Sequence, residues 1–273
     1  EDGIRDIGVT GVQTCALPIS AGNLVSGENL TVTLNNVANF TTADVGSESL
    51  AVTYTLADGV NGKASNYQLA GQNINGSITK RTLTMGGTTI QSREYDGTTT
   101  AGTVSVGTAG NLVSGENLTV TLNNVANFTS ADVGSESLAV TYTLADGVNG
   151  KASNYQLAGQ NINGSITKRT LTMTGTSIGS REYDGTKFAG TVSVGTVGNT
   201  VGTQDLVITG AGSDFSSADV GSENLTVTYS LANGTTGKAS NYQLGTQTVS
   251  GSITKRTLTM GGTTIQSREY DGT

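Results

Sequence analysis

The chain has 273 residues, 21 acidic and 14 basic side chains, no His, no Trp, and a single Cys and Pro. The excess of acid argues against a nucleic-acid partner, which needs a basic face. Without His, and with one Cys, zinc or copper sites and thiol or imidazole catalysis lose their usual residues.

The first nineteen residues, EDGIRDIGVTGVQTCALPI (Glu1–Ile19), share nothing with the rest of the chain and resemble a translated sequencing adapter. Back-translation of EDGIRD and of VTGVQTCALPI gives the constant parts of a common adapter primer, with Ile7 and Gly8 at the variable index. Residues 1–19 are therefore set aside as an artefact, as such scars should be. Cys15 and Pro18 go with them, and they are the only Cys and Pro in the chain.

From Ser20 onward one sequence is written about three times. KASNYQL occurs at Lys63–Leu69, Lys151–Leu157 and Lys238–Leu244, and GSITKRTLTM at Gly76–Met85, Gly164–Met173 and Gly251–Met260. SREYDGT occurs at Ser92–Thr98, Ser180–Thr186 and Ser267–Thr273. A period near 88 residues is too long for a solenoid coil, whose units run to roughly 20–50 residues. It suits a small autonomous β domain.

Within a repeat, LTVTL (Leu30–Leu34), LAVTYTL (Leu50–Leu56), TLTM (Thr82–Met85) and TVSV (Thr103–Val106) alternate apolar residues with Thr or Ser. Alternation at period two marks half-buried strands, with Leu50, Val52, Tyr54 and Leu56 on one face. Turn clusters such as NNVAN, DVGSE, ADGVNGKASN and YDGT separate them. The sequence predicts six or seven short strands per repeat, in two facing and nearly all antiparallel sheets. The nine Tyr fall into three classes, Tyr54/Tyr142/Tyr229, Tyr67/Tyr155/Tyr242 and Tyr95/Tyr183/Tyr270, and Phe40/Phe128/Phe215 form a fourth. Core packing is their expected role.

In YDGT (Tyr95–Thr98) the Asp-Gly pair predicts a tight turn with Gly97 at positive φ, Tyr95 plugging the end of the sandwich and Thr98 opening a strand. ADVGSE (Ala43–Glu48) lacks the spacing of a calcium loop. Carboxylates from separate loops, Asp44, Glu48, Asp58, Glu94 and Asp96, could still meet at a junction between repeats. Asp58 and Asp146 become Asn233 in the third repeat, so a site using that position would differ there. The basic pairs Lys80–Arg81, Lys168–Arg169 and Lys255–Arg256 mark the junctions and are placed to bridge acidic loops of a neighbour.

The order ITK-RTLTM, REYDGTTTAGTVSVGT, ADVGSE, a Thr-rich strand, KASNYQL and ITK again is similar to the YDG-type repeat of filamentous-haemagglutinin-like bacterial surface exoproteins. It covers essentially all of residues 20–273. The family's usual Lys before the YDG turn is replaced here by Arg93–Glu94. The resemblance implies all-β architecture: tandem immunoglobulin-like β-sandwich repeats, end to end, in a secreted, cell-surface bacterial adhesin.

The expected divisions are 20–80, a repeat lacking its first strands; 81–168 and 169–255, two complete repeats; and 256–273, the start of a further one, as in a fragment cut at both ends. The junction ITKRTLT has neither Gly nor Pro, which predicts a stiff, extended arrangement. The expected function is a structural spacer that extends a distal binding region. The alternative is that the repeats themselves bind host glycan, protein or matrix through loops lined by Thr, Asn and Tyr. An enzyme is not expected, since no nucleophile elbow or phosphate-binding Gly loop is present. No catalytic, cofactor-binding or metal-binding residue is assigned, and no cofactor. The expected partners are neighbouring repeats and an unidentified host or neighbouring-cell ligand, with no nucleic acid and no membrane span. The piece 256–273 is what the first repeat lacks, so strand complementation between chains could give head-to-tail polymers, as an artefact of the truncation rather than a native function.

Overall fold

A computed structural model describes residues 21–273; the adapter-like segment with Cys15 and Pro18 lies outside the described residues. Among the described residues the chain is nearly all β, with three single-turn 3-10 helices, and it forms two compact units.

The first unit holds residues 21–83 with the loops Val113–Leu118 and Ala145–Gln156. Its sheet has three antiparallel strands, Leu30–Val37, Gly46–Asp58 and Gln72–Ile78, with Gly46–Asp58 in the middle. The alternation in LAVTYTL sets its inner face: Val52 is buried and Leu50, Tyr54 and Leu56 half-buried, while Ala51, Thr53 and Thr55 face solvent. Leu34 pairs with Tyr54 but Asn36 with Thr53, so a bulge at Asn35 restores the inward face after one extra residue. Also in this unit, Tyr155–Gln156 pairs in parallel with Arg81–Thr82.

The second unit holds Thr84–Leu112, Thr119–Leu144 and Leu157–Thr273. The second repeat builds a four-stranded sheet in the order Leu118–Val125, Gly134–Asp146, Gln160–Thr167, Arg93–Glu94. The third builds the same sheet from Leu206–Gly212, Gly221–Asn233, Gln247–Thr254 and Arg181–Glu182. In both, the short edge strand after the junction joins in parallel. Two-stranded ribbons complete each repeat, Thr84–Gly86 with Thr108–Gly110 and Thr89–Ile90 with Val104–Ser105 in the second.

The all-β expectation holds, but the strand pattern differs from the one predicted. Each complete repeat contains ten strands rather than six or seven, many of two or three residues, and two of its pairings are parallel. Gly accounts for one of the interruptions. A Cβ on Gly107 would lie 1.9 Å from the Gly86 carbonyl oxygen, so two backbones touch where a longer ladder would need side chains. Thr98 does not open a strand; the segment after YDGT is irregular up to Val104–Ser105.

Two clusters of buried side chains form the core of this unit. One holds Ile178, Ala189, Phe215, Leu225, Val227 and Ile253 of the third repeat. The other starts with Ile90, Phe128, Leu138, Val140 and Ile166 of the second repeat and runs on through Tyr95 into Leu171 and Tyr242 of the third. Apolar packing therefore crosses the boundary between these repeats. At roughly 25 cal/mol per Å² of buried apolar surface, it couples their stabilities.

Candidate functional site

The functional geometry lies where one repeat meets the next. The ADVGSE turn of each of the first two repeats receives the KASN turn of its successor. Asp44 accepts from Lys151 Nζ at 2.5 Å and from Asn154 Nδ2 at 2.9 Å, while Asn154 Oδ1 accepts the Val45 N–H at 2.9 Å. One repeat later, Asp132 accepts from Lys238 Nζ at 2.6 Å and from Asn241 Nδ2 at 2.8 Å, and Asn241 Oδ1 accepts the Val133 N–H at 2.9 Å. Partners more than a hundred residues apart thus form the same clasp twice.

Local structure aims the clasp. Ala152–Asn154 and Ala239–Asn241 are 3-10 turns. Each is tied down by an oxygen six residues back: Asp146 Oδ1 accepts the Ala152 N–H at 2.7 Å, and Asn233 Oδ1 accepts the Ala239 N–H at 2.8 Å. This explains the Asp-to-Asn change in the third repeat, since the position needs only an acceptor.

Burial decides which members of the clasp matter energetically. The Lys and Asp side chains stay well exposed, and such ion pairs contribute about 0–1 kcal/mol. Asn241 is 1 % exposed with both ends of its amide bonded, and leaving such partners unpaired costs about 1–3 kcal/mol. The bonds from Asn154 and Lys151 hold the Asp44 carboxyl below the usual carboxylate range, and Lys238 and Asn241 do the same for Asp132. Lys151 and Lys238 are raised in turn, each by its hydrogen bond to the Asp. Lys151 and Lys238 thus bridge to the acidic turn of the preceding repeat. Arg169 instead donates to the Asn199 carbonyl at 2.8 Å and to its Oδ1 at 2.6 Å.

The YDG turn forms the other half of the junction. Gly97 has φ of 79°, as predicted, and a Cβ there would sit 3.0 Å from Val201 of the next repeat. Both the turn and the close approach call for Gly. The Tyr95 ring, buried in one cluster with Ile90 and Ile166 of its own repeat, also meets Tyr242 of the next edge to face, with centroids 5.4 Å apart. Gln204 bridges the two rings: it accepts from Tyr242 Oη at 2.5 Å and donates to Tyr95 Oη at 2.8 Å. Arg93 staples the turn. It bonds the Thr100 carbonyl at 2.6 Å and Asp96 Oδ1 at 2.5 Å, and its guanidinium lies over the Phe128 ring. Arg181 repeats this with Asp184, the Phe188 carbonyl and Phe215.

The carboxylates considered for a cation are not brought together. Asp44 faces Lys151, Glu48 accepts from Thr41, Asp58 accepts the Ala64 N–H, and Asp96 takes Thr98 and Arg93. Among the described residues no group of three or more His, Cys, Asp or Glu is disposed to hold a metal ion, and no helix is long and apolar enough to cross a membrane.

One loop sets the third repeat apart. Asn29 and Asn117 accept the N–H groups of Val60 and Val148. Their counterpart, Asp205, accepts from Thr236 Oγ1 at 2.6 Å and from the N–H groups of Thr235 and Thr236 at 2.9 and 2.7 Å. These donors, the Thr236 hydroxyl foremost, hold the Asp205 carboxyl far below its ordinary value. Stability from this carboxylate is therefore fully present above the unfolded value of about 3.9 and is lost as pH falls through the lowered folded one. In an NMR acid titration the Thr235 and Thr236 amide signals are expected to stay fixed through pH 4 and move only below it. Asp205→Asn should abolish the movement. A midpoint near 4 in the unsubstituted chain would mean that the three donors do not hold the carboxylate.

Residues 79–162 and 167–250 each match the YDG domain. The chain belongs to the YDG domain family. The two matches fall on the second and third repeats, and each begins at or just before a junction and runs through the KASN turn. No curated protein matches the chain. The solved structure of Drosophila N-cadherin EC1-3 is similar over 85% of this chain and 91% of that one, at 7% identity and a TM-score of 0.20. At that score the likeness carries no argument about this YDG chain.

The three aligned repeats already contained the signal for the clasp. Asp44/Asp132/Asp219, Lys63/Lys151/Lys238 and Asn66/Asn154/Asn241 are identical in every repeat, as are all their neighbours within ADVGSE and KASNYQL. The sequence did not show that the Asp of one repeat faces the Lys and Asn of the next.

Proposed function

We propose that this YDG chain is a structural spacer: tandem immunoglobulin-like β-sandwich repeats of a secreted bacterial surface adhesin, which carry a distal binding region away from the cell. The observation that supports this is the repeated clasp. Asp44 with Lys151 and Asn154, and Asp132 with Lys238 and Asn241, join successive repeats by one chemistry, so reach scales with repeat number. The secreted-adhesin context rests on the order of motifs, which resembles that of haemagglutinin-like exoproteins.

Small-angle scattering on dilute protein tests the spacer. A compact globule of 273 residues would have a radius of gyration of about 19 Å. A clearly larger value with a rod-like distance distribution is expected, together with no adhesion of the purified repeats to host cells or glycan arrays. A value near the compact limit, or reproducible binding by the repeats alone, would replace the spacer with an adhesive module.

A further inference from the structure

In each repeat the three long strands leave one face of their sheet in solvent. On the middle strand of the first repeat this face carries Ser47, Ser49, Ala51, Thr53, Thr55 and Ala57, all exposed. The outward residues of its neighbours Leu30–Val37 and Gln72–Ile78 are Thr, Asn and Ser. The second repeat presents the same residue types, and the third presents Ser, Thr, Asn, Ala and one Val. The chain has 21 acidic and 14 basic side chains, yet none occupies an outward position on these strands. Solvated surfaces are ordinarily kept apart by interspersed charge, on roughly a quarter to a third of their residues. Charge returns at the border, with Glu94 and Glu182 on the short edge strands.

The face keeps its neutrality while its residues change. Between the second and third repeats Ser137 becomes Asn224, Ala139 Thr226, Thr143 Ser230 and Asn163 Ser250, and no replacement on the face is charged. Ser137 lies opposite Asn163, and Asn224 opposite Ser250, so one rung holds the same pair with its strands exchanged. Off the face, charge does change between these repeats: Glu116 becomes Gln204, Asn117 Asp205, Asn127 Asp214 and Asp146 Asn233. Strand propensity does not account for the difference, since Ala, no better a strand former than Lys or Glu, occupies the face at Ala51 and Ala57.

We propose that a second copy of this chain stacks on the neutral face, sheet on sheet, so that copies associate side by side. Charge selects the occupant. The chain carries a net −7, so two copies repel wherever acids face each other. Stacked sheets lie about 10 Å apart, about one Debye length at 0.1 M salt, and on this face no carboxylate meets the partner at that distance. The hydroxyl and amide side chains both donate and accept, so the face can satisfy hydrogen bonds to its own copy. They are also short, and ordering them costs less rotamer freedom than ordering Lys, Arg or Glu. At about 3.4 Å per residue along Ser47–Ala57 and about 4.8 Å between three strands, one face covers roughly 500 Å². A stacked pair then buries about 1,000 Å², the lower end for a specific interface, so a single pair of faces binds weakly. Each face meets its own equivalent, which makes the contact isologous.

Sedimentation velocity on the full chain, from low micromolar to several hundred micromolar and with a reductant to keep Cys15 a thiol, tests this. The weight-average coefficient should climb with concentration, and more steeply at high salt, which screens the acidic copies. Ala51→Glu, Ala139→Glu and Thr226→Glu together place a carboxylate on the middle strand of all three faces. This chain should stay monomeric with an unchanged circular-dichroism spectrum, since the three side chains are exposed. Mixed with the matching Lys chain (Ala51→Lys, Ala139→Lys and Thr226→Lys), it should associate more strongly than either chain alone. Val60→Glu with Val148→Glu adds charge at exposed loop residues off the face and should leave association unchanged. A full chain that is monomeric at every concentration overturns the proposal and leaves the spacer role untouched. So does association that survives the three Glu substitutions or weakens with salt, or a mixture that restores nothing. A monomeric chain that the same face holds on a neutral polysaccharide would assign the face to glycan, and that too overturns it.

Discussion

Tyr242→Ala is expected to destabilise the second and third repeats together, by about 3–5 kcal/mol, the range for deleting a buried aromatic. Tyr242 is 1 % exposed and belongs to the same buried cluster as Ile90, Leu138 and Ile166 of the preceding repeat. Its removal opens a cavity at the boundary and strips Tyr95 of an edge-to-face partner, which is worth about 0.5–1.5 kcal/mol. It also leaves the Val201 N–H, which donates to Tyr242 Oη at 3.0 Å, without its acceptor. Tyr242→Phe separates these effects: it keeps the ring and should cost only about 1–3 kcal/mol for the lost hydroxyl bonds. Tyr67→Ala, the same substitution in the first repeat, should cost less because Tyr67 is only half-buried. Urea unfolding followed by tyrosine fluorescence and near-ultraviolet dichroism measures all three. If Tyr242→Ala costs no more than Tyr67→Ala, the core does not run between these repeats.

What the sequence revealed and what it hid divide by range. Leu50, Val52, Tyr54 and Leu56 are an alternating run, and alternation alone puts them on the inner face. The YDGT turn was legible because Asp96 and Gly97 act within four residues: Asp96 accepts from the Thr98 N–H at 2.8 Å, and Gly97 takes positive φ. The two-residue parallel strands were not legible. Arg93–Glu94 is too short for any periodicity, and its partner lies more than seventy residues away. The clasp was hidden for the same reason, since an exposed Lys, Asp and Asn in turn sequences look like ordinary solvated residues. Only the three-dimensional juxtaposition buries Asn241. The role of Arg93 was not legible either, because sequence cannot show that one guanidinium reaches Asp96 and the Thr100 carbonyl at once.

Asn241→Asp tests that juxtaposition most sharply, because it changes charge without changing shape. The new carboxylate keeps an acceptor for the Val133 N–H. It also places an acceptor-only oxygen opposite Asp132 Oδ1, where the amide now donates at 2.8 Å. Lys238, 2.6 Å from the far oxygen of Asp132, offsets only part of the repulsion because it is well exposed. An uncompensated charge in a buried setting costs roughly 3 kcal/mol or more, so the substitution should be worse at pH 7 than Asn241→Ala, at about 1–3 kcal/mol. The pH dependence should then reverse. In the unsubstituted chain Asp132 has a lowered value. Its contribution is present above the unfolded carboxylate value of about 3.9 and is lost as pH falls through the lowered one. In the variant two carboxyls share one contact, which raises the value of one of them. The penalty is then full when both are ionised and is relieved as pH falls below that raised value. Between pH 7 and 5 the variant should gain stability while the unsubstituted chain stays flat. Equal stability of the two at pH 7, with no gain on acidification, would mean that Asp132 and residue 241 do not face each other, and the clasp between repeats would have to be abandoned.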